Sequence, residues 1–296
     1  MTGSLIAVDV GNSRIKLGLF DLKLLKIRSF GETTLKELTE KLAELGSRLG
    51  NPVSATAPEP KTLPIPVSTL ALPARDWDEQ LLGGWLTSAP SGTEWWIASV
   101  NRSAAAQLVE SIRSINSTAI PRMLSHSDLP IAAAVKEPDK VGIDRLVAAT
   151  AANRLRDPAH AAIVVHVGTA IVVDLISADG RFCGGAILPG IAMSARALHE
   201  FTDLLPQSSM QELGEAPAAL ATSTLEAIHS GLYWGAIGAM RELVMKLSDS
   251  PTVERTKTDV FLTGGAAPSV AHQLGPDVQF MEHLVLSGIA LAGSCG

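Results

Sequence analysis

The chain has 296 residues, a formal net charge of -6 and a pI near 5.7. This length suffices for one large domain or two ordinary ones, and 46% hydrophobic residues can build a sizeable core. The acidic balance argues against a nucleic-acid-binding surface, which needs clustered Lys and Arg. No apolar run has membrane-spanning length, the N-terminus has no signal-peptide pattern, and Cys183 and Cys295 lack metal-ligand spacing. We therefore expect a cytoplasmic protein that binds neither nucleic acid nor a membrane.

The first predicted element is a β-hairpin. Ile6 to Val10 reads as a buried strand, Gly11 opens a tight turn, and the alternating run from Arg14 to Asp21 reads as the second strand. A helix follows, because leucines recur at helical spacing between Leu35 and Leu49. From Asn51 to Pro73 the prolines are too dense for a helix, so this stretch is extended or irregular, with room for short edge strands.

The middle of the chain contains the last predicted elements of the first half and the first helix of the second. Trp95 to Val100 is a buried strand, and Ser103 is the predicted cap of a helix that runs to about Ile115. The interrupted stretch from Pro121 to Pro138 contains the predicted boundary, which divides the chain into lobes of residues 1–126 and 127–296. A helix from Ile143 to Leu155 follows that boundary.

The second half repeats the opening pattern. Val164 to Val167 is a buried strand, Gly168 begins the turn, and Ile171 to Ile176 returns as the second strand. A third strand, Arg181 to Leu188, follows a turn signal at residues 178–180. Helices are predicted over Ile191 to Phe201, Thr224 to Met245 and Leu284 to Gly293, and a strand over Asp259 to Leu262.

Strands and helices thus alternate in two halves that each open with a hairpin, which predicts an α/β protein with two related lobes. In each hairpin a polar residue stands two positions before the glycine: Asp9 in the first and His166 in the second. The glycine permits close approach of the backbone to a ligand, and the following N–H groups can donate to phosphate oxygens. The duplication predicts a two-lobed nucleotide site whose halves differ at one position.

Six segments in chain order resemble the type III pantothenate kinases, a family of the acetate and sugar kinase, Hsp70 and actin superfamily. The resemblance implies two lobes of the actin-like ATPase (ribonuclease H-like) type, each opening with a β-hairpin phosphate motif. One such segment alone is a weak signal, whereas six in this order are specific. They are Asp9-Val10-Gly11-Asn12-Ser13, Val141-Gly142-Ile143-Asp144-Arg145-Leu146, Gly168-Thr169-Ala170, Gly185-Ala186-Ile187-Leu188-Pro189-Gly190, Ser223-Thr224 with Ala227, Ile228 and Gly231, and Thr263-Gly264-Gly265.

The family resemblance implies ATP-dependent phosphorylation of pantothenate to 4'-phosphopantothenate, the first step of coenzyme A biosynthesis, by a homodimer with its active site near the interface. Asp144 would be the general base that takes the proton of the pantothenate hydroxyl, and Asp9 would hold Mg²⁺. The implied ATP contacts are Asp9, Val10, Gly11, Asn12, Ser13, Arg14, Lys16, Gly168, Thr169, Gly264 and Gly265. The implied pantothenate contacts are Gly142, Ile143, Asp144, Arg145, Thr224 and position Val135.

Structural interpretations of these residues stay open beside the functional ones. Asp9 can be a turn former, Lys16 a solvated side chain of the hairpin, and Asp144 with Arg145 a charged helix start that favours the helix dipole. Asp174, further along the second hairpin, is either support for the site or a polar edge position, and we favour the edge position.

Three departures from the family pattern affect the expected site. His166 stands where the family has an aspartate credited with binding a monovalent cation such as K⁺ or NH₄⁺, and imidazole is a poor ligand for that ion. Either protonated His166 supplies the charge itself, or a neutral His166 satisfied by a backbone bond lies in a disused site. Val135 replaces a tyrosine that faces pantothenate, which alters substrate recognition. Ile171 and Val172 replace threonines, so fewer hydroxyls line the nucleotide side.

Two other functions compete with pantothenate phosphorylation. The same scaffold could act on another small polar alcohol, an alternative that rests on Val135. A nucleotide-binding accessory or regulatory protein that kept the fold and lost turnover is the second alternative. It predicts ATP binding without turnover for every alcohol and insensitivity to Asp144→Asn.

Overall fold

A computed structural model describes residues 3–22, 62–208, 216–253 and 257–294. The predicted helix between Leu35 and Leu49 and most of the proline-rich stretch lie outside these residues. The strands are β1 (Ser4–Val10), β2 (Arg14–Asp21), β3 (Ser68–Pro73), β4 (Glu94–Ser99), β5 (Pro121–Met123), β6 (Ala161–Val167), β7 (Ala170–Ile176), β8 (Phe182–Pro189), β9 (Thr258–Thr263) and β10 (Val278–Phe280). The helices are α1 (Glu79–Leu86), α2 (Arg102–Ile115), α3 (Ile143–Leu155), α4 (Ile191–Glu200), α5 (Thr224–Ser248), α6 (Ala271–Leu274) and α7 (Leu284–Ser294).

The ten strands form two sheets of the same topology. The first has the order β3-β2-β1-β4-β5, and the second, read in the same sense, has β8-β7-β6-β9-β10. In each sheet the first three strands in the chain pair antiparallel, and the two that follow join in parallel. This repeat confirms the predicted α/β protein of two related lobes, each opening with a hairpin. The boundary between residues 126 and 127 stays a prediction.

The core has three layers, one between the two sheets and one on the outer side of each sheet, because side chains alternate between the two faces of every strand. Leu5 and Ala7 of β1 pack into the central cluster with α3 and α7, whereas Ile6 and Val8 pack against the outer helices of the first lobe. In β6 the even-numbered side chains, such as Val164, face the same central cluster. The two sheets therefore cover opposite sides of a helix pair, and polar residues continuing these rows face the cleft between the lobes.

The central helices α3 and α7 are closely packed. A Cβ on Gly288 of α7 would lie 2.2 Å from the Val147 carbonyl oxygen of α3, so only glycine allows this approach. Buried alanines on α3 keep the helix thin enough to fit between the sheets. Within the described ranges, no helix is both long and apolar enough to cross a membrane.

One predicted helix start is wrong by two positions. The cap of α2 is Asn101, whose side-chain oxygen accepts a hydrogen bond from the Ala104 backbone N–H at 3.1 Å, and Ser103 lies inside the first turn. Both residue types are good caps, but Asn101 has the extended backbone that a cap requires. The other predicted elements within the described residues occur, with ends shifted by up to three residues.

Candidate active site

The turns of the two hairpins meet across the cleft. The first turn is closed by a bond from the Gly11 N–H to the Arg14 carbonyl at 3.0 Å, and the second by a bond from the Gly168 N–H to the Ala170 carbonyl at 3.0 Å. The Thr169 hydroxyl donates to the Ser13 hydroxyl at 2.8 Å. The two motifs, 156 positions apart in sequence, thus form one continuous polar surface. Asn12 in the first turn is exposed on this surface, as are Ser13 and Thr169.

A third segment supports the second turn from behind. The Gly190 N–H donates to the Thr169 carbonyl at 3.0 Å. A Cβ at Gly190 would lie 2.3 Å from the Gly168 carbonyl oxygen and 2.4 Å from that of Thr169, so the contact requires glycine. The Gly-Gly-containing segment before α4 therefore sets the shape of the second phosphate turn.

Asp9 lies half-buried at the end of β1, on the face that looks into the cleft. Its carboxylate makes no hydrogen bond or ion pair with any other described residue, although Lys16 is its cross-strand neighbour on β2. Burial, and after it the charge of Asp144, raise the pKa of Asp9 to about 7, although Lys16 opposes the rise. A carboxylate held without a partner is costly, so Asp9 is poised to gain from a cation.

His166 occupies the matching position in the second lobe. It pairs with Val172 on β7 and with Thr263 on β9, and its side chain has no hydrogen-bond partner among the described residues. Burial lowers the pKa of His166, a change that Asp144 opposes and Lys16 reinforces. The direction of this shift disfavours the protonated ring, whose role stays a prediction, and no backbone bond to a described residue satisfies the ring as the neutral alternative had expected.

Asp144 is in the first turn of α3, close enough to Asp9 and His166 to affect the pKa of both. One carboxylate oxygen accepts the Arg145 backbone N–H at 2.9 Å. A Cβ on Gly142, the residue that caps α3, would lie 2.5 Å from that same oxygen. The carboxylate therefore rests directly on the turn before the helix, and glycine makes room for it.

Arg145 and Asp174 form a buried ion pair, which overturns the edge position favoured for Asp174. Asp174 is 3% exposed on β7, and it accepts two hydrogen bonds from the Arg145 guanidinium, one from Nε at 3.1 Å and one from Nη2. Burial lowers the pKa of Arg145, but the bonds and charge of Asp174 outweigh it and raise the pKa overall. A Cβ on Gly185 would lie 2.8 Å from the Asp174 carboxylate, so glycine is needed there as well.

The wall beside this ion pair is apolar. Arg145 lies 5.4 Å over the ring of Phe182, and the backbone N–H of Ala134 donates to the Phe182 carbonyl at 2.7 Å. Val135 is half-buried, and its Cγ1 would be 3.3 Å from a Cβ on Gly184. Val135 therefore lies beside Gly184 of β8 and packs against the central core, and it brings no hydroxyl to this region.

The loop after β9 closes the second lobe over His166. Gly264 has a positive φ of 108°, and a Cβ there would lie 2.7 Å from the His166 ring. Gly265 is exposed and faces the Arg14 guanidinium, whose Nη1 would be 3.7 Å from its Cβ position. The predicted ATP contacts from the two lobes thus approach each other here across the cleft.

Several residues that the sequence assigned to the site have side chains that do not point into the cleft. Val10 and Ile143 are buried in the outer and central cores, respectively. Ile171 is also buried, in the outer core of the second lobe, so its replacement of threonine removes no hydroxyl from the cleft. Thr224 is exposed at the start of α5, after the capping Ser223, and no described hydrogen bond joins it to the cleft.

Two cleft residues, Glu282 and His283, were missed by sequence reasoning, and Thr263 was named only within the Thr263-Gly264-Gly265 segment. Thr263 is 2% exposed with no side-chain hydrogen bond among the described residues, and it lines a narrow opening with Lys16 and His166. Glu282 and His283, just before α7, complete that opening. The position of Thr263 in the cleft could have been predicted, because Thr263 lies on the same strand face as Phe261, which is buried in the central core. Glu282 and His283 carry no comparable local signal.

The comparisons with known proteins agree with this geometry. A family model described as type III pantothenate kinase matches residues 69–246, more than half of the chain. The chain belongs to the type III pantothenate kinase family. A type III pantothenate kinase from Dehalococcoides mccartyi (strain ATCC BAA-2266) is 30% identical over 92% of this chain and 90% of its own length. One from Rhodospirillum rubrum is 34% identical over 55% of this chain, and the match spans 61% of that kinase.

A comparison with solved structures shows similarity over nearly the whole chain. A Baf family transcriptional activator from Campylobacter jejuni matches with a TM-score of 0.52 and 15% identity, over 98% of each chain. At this identity the likeness concerns the fold. Together with the two sheets of equal strand order, it establishes for this type III pantothenate kinase family member a two-lobed α/β architecture.

Proposed function

We propose that the protein transfers the γ-phosphoryl group of ATP to the primary hydroxyl of pantothenate, giving 4'-phosphopantothenate at the start of coenzyme A biosynthesis. Family membership supports the reaction class. The observation that carries the proposal is the electrostatic coupling of Asp9 and Asp144 on the cleft floor, beside two hairpin turns joined by the Ser13–Thr169 bond. Phosphoryl transfer depends on positioning and charge stabilisation more than on covalent chemistry, and such a floor offers both.

The two turns would hold the phosphates of ATP. The backbone N–H groups around Asn12 and Gly168, with the hydroxyls of Ser13 and Thr169, are donors that suit phosphate oxygens. Lys16 has no ion pair among the described residues and adds a positive charge on the same floor. Val10 would contribute through its backbone, and Gly11 leaves space for the phosphates.

The adenine side of ATP would lie toward the loop after β9. Gly265 exposes backbone there next to the buried Gly264, and the Arg14 guanidinium faces Gly265 from the first lobe. A ligand seated between these groups would contact both lobes, which is what a phosphoryl-transfer site needs to exclude water.

Asp144 would act as the general base. The pantothenate hydroxyl loses its proton to the free oxygen of Asp144 as the hydroxyl oxygen bonds to the γ-phosphorus and the bond to ADP breaks. The other Asp144 oxygen is held by the Arg145 N–H at 2.9 Å, which fixes the orientation of the carboxylate. The proton leaves to solvent when the product is released.

The chemistry of Asp9 fits Mg²⁺. Its carboxylate is half-buried, carries a raised pKa and has no partner among the described residues, and Mg²⁺ prefers such oxygen ligands together with phosphates and water. When bound, Mg²⁺ would neutralise charge on the phosphates. The residue at the second-lobe position does not fit a monovalent cation, because His166 offers an imidazole nitrogen where such an ion needs oxygen ligands. We therefore propose turnover without K⁺ or NH₄⁺.

Pantothenate would lie on the side of Asp144 where α3 begins. Arg145 keeps its Nη1 free for a carboxylate or amide oxygen, because Asp174 takes only Nε and Nη2. The backbone of Gly142 and Ile143 borders the same space. Val135 offers an apolar contact without a hydroxyl, so substrate recognition there depends on shape.

We propose that the protein is a cytoplasmic homodimer in which Thr224 reaches the partner's substrate. Four apolar side chains on the outer surface of the second lobe are exposed: Ile187 by 62%, Phe201 by 84%, Leu204 by 88% and Leu220 by 85%. Large apolar side chains exposed to this degree are candidates for an interface. Phe201→Asp should give monomers in sedimentation velocity, whereas Leu81→Asp in the first lobe should leave the dimer intact. A monomeric wild type contradicts the dimer.

The proposed reaction is tested by ADP release from MgATP with pantothenate, and with other small polar alcohols. We expect release that depends on pantothenate and falls at least about a hundredfold in Asp144→Asn. Asp249→Asn, an exposed aspartate at the end of α5, is the matched control and should keep wild-type activity. Release driven better by another alcohol would change the substrate, and nucleotide binding without release for any alcohol would contradict a kinase.

A further inference from the structure

His126 lies in a short, well-anchored turn outside the cleft. The turn His126–Asp128 follows β5, and the Asp128 carboxylate accepts the Ser125 backbone N–H at 2.7 Å and the Ser125 hydroxyl at 2.6 Å. Leu129 next to it is buried in the central core. The backbone of this turn is therefore fixed both by local hydrogen bonds and by a buried side chain.

The imidazole of His126 reaches from this anchored turn to the segment that precedes α3. Its Nε2 lies 2.8 Å from the backbone carbonyl oxygen of Val141. A carbonyl oxygen only accepts, so Nε2 is the donor, in either the neutral or the charged ring. Among the hydrogen bonds of the described residues, this one joins the 125–128 turn to the 137–142 turn.

Val141 controls the backbone on which the Asp144 carboxylate rests. Gly142 follows directly, and its carbonyl accepts the N–H of Arg145 at 3.1 Å, which begins the helix. The Asp144 carboxylate oxygen would lie 2.5 Å from a Cβ on Gly142. Because the carboxylate occupies the space that a side chain on Gly142 would fill, a shift of Val141 and Gly142 changes the surface on which it rests.

We propose that His126 is a positioning residue for Asp144, holding the turn before α3 so that the free carboxylate oxygen meets the substrate hydroxyl. This inference rests on the proposed role of Asp144 as general base. His126 touches neither substrate nor nucleotide in this arrangement. Its hydrogen bond to Val141 connects the turn that carries Asp144 to the 125–128 turn, which is held by contacts outside the cleft.

The kinetic test compares His126→Ala with His126→Gln and with a control. Misplacing a catalytic group by about 1 Å costs up to about a hundredfold, so His126→Ala should lower kcat by about ten- to a hundredfold with little change in the KM for pantothenate. His126→Gln retains an N–H donor at similar reach and should recover most of the loss. His160→Ala removes a histidine bonded to Asp259 at the other end of the second sheet and should keep wild-type kcat.

A double-mutant cycle separates positioning from general damage to the fold. If His126 works through the base, adding His126→Ala to Asp144→Asn should lower the residual rate by less than about twofold. An equal loss in both backgrounds, or unchanged kcat in His126→Ala alone, would overturn the inference. A wild type without pantothenate-dependent turnover would instead count against the proposed function.

A substrate-free measurement decides the inference even in that last case. The Arg145 amide proton reports directly on the Asp144 carboxylate, to which it is bonded at 2.9 Å. In protein labelled with ¹⁵N-arginine, this amide resonance should move in His126→Ala, return toward the wild-type position in His126→Gln, and stay in place in His160→Ala. An unmoved resonance in His126→Ala would show that the turn holds its shape without the histidine.

Discussion

Replacing Asp9 with asparagine should stabilise the unliganded protein. The carboxyl is half-buried without a partner among the described residues, and burial raises its pKa from 3.8 to about 7. The folded state therefore binds this proton more tightly than the unfolded chain does. Stability from the protonated carboxyl is complete below about pH 4 and is lost as the pH rises toward about 7.

The size of the effect follows from the two pKa values. At about 1.4 kcal/mol per pKa unit, the raised pKa lowers the free energy of unfolding by about 2 kcal/mol at pH 5 and by about 4 kcal/mol at pH 8, because the unfolded chain ionises more readily than the folded protein. Asparagine keeps the shape of the side chain and does not titrate. The advantage of Asp9→Asn in the free energy of unfolding should therefore grow by about 2–3 kcal/mol between these pH values.

Urea unfolding of wild type and Asp9→Asn at pH 5 and pH 8 measures this difference. EDTA is present and nucleotide is absent, so that no cation compensates the carboxylate. Asp249→Asn, run in parallel, corrects for effects of pH on an exposed aspartate. The reasoning would be refuted by an advantage that is the same at both pH values, or by a variant that is less stable than wild type at pH 8.

Three further predictions follow from the cleft. Gly264→Ala should cost about 2 kcal/mol or more in unfolding free energy and weaken ATP binding, because φ is 108° and the new Cβ meets His166. Gly265→Ala should leave the unfolding free energy nearly unchanged, because its Cβ would lie no closer than 3.7 Å to any described atom beyond its chain neighbours. Asp174→Asn should lower unfolding free energy by about 3 kcal/mol, because Arg145 loses its buried partner, and no loss in urea titration would contradict that pair. Replacing Na⁺ by K⁺ should change ADP release by less than about twofold, since the imidazole of His166 is a poor ligand for the cation; strict K⁺ dependence would oppose this.

Much of the fold could be predicted from the sequence because its signals are local. The hairpins follow from alternating side chains and a glycine turn, and the same alternation places Asp9 and His166 on the inner faces of their sheets. The prediction of Ser103 as the helix cap is wrong because Asn101, two positions earlier, has a side chain that suits the position equally well. Only backbone conformation distinguishes them, and local sequence does not encode it strongly.

Contacts between distant segments account for most of what the sequence did not reveal. Asp174 was read as an edge residue because nothing near it in the chain supplies a charge, whereas its partner Arg145 lies 29 positions earlier. The lowered pKa of His166 likewise depends on its burial, and the loop containing Gly264 packs against its ring. His126 carried no signal, because its acceptor is a backbone carbonyl that any residue at 141 would provide.

The central claim, that the joined turns and Asp144 form one site for phosphoryl transfer to pantothenate, is tested most directly by following the γ-phosphate itself. ATP labelled at the γ-position is mixed with an excess of protein and with pantothenate, and the labelled product is identified by mass. We expect wild type to convert the label to 4'-phosphopantothenate in a single turnover, and Asp144→Asn to bind ATP with similar affinity while transferring little. Equal transfer by Asp144→Asn, or label that appears only as inorganic phosphate in wild type, would contradict the claim.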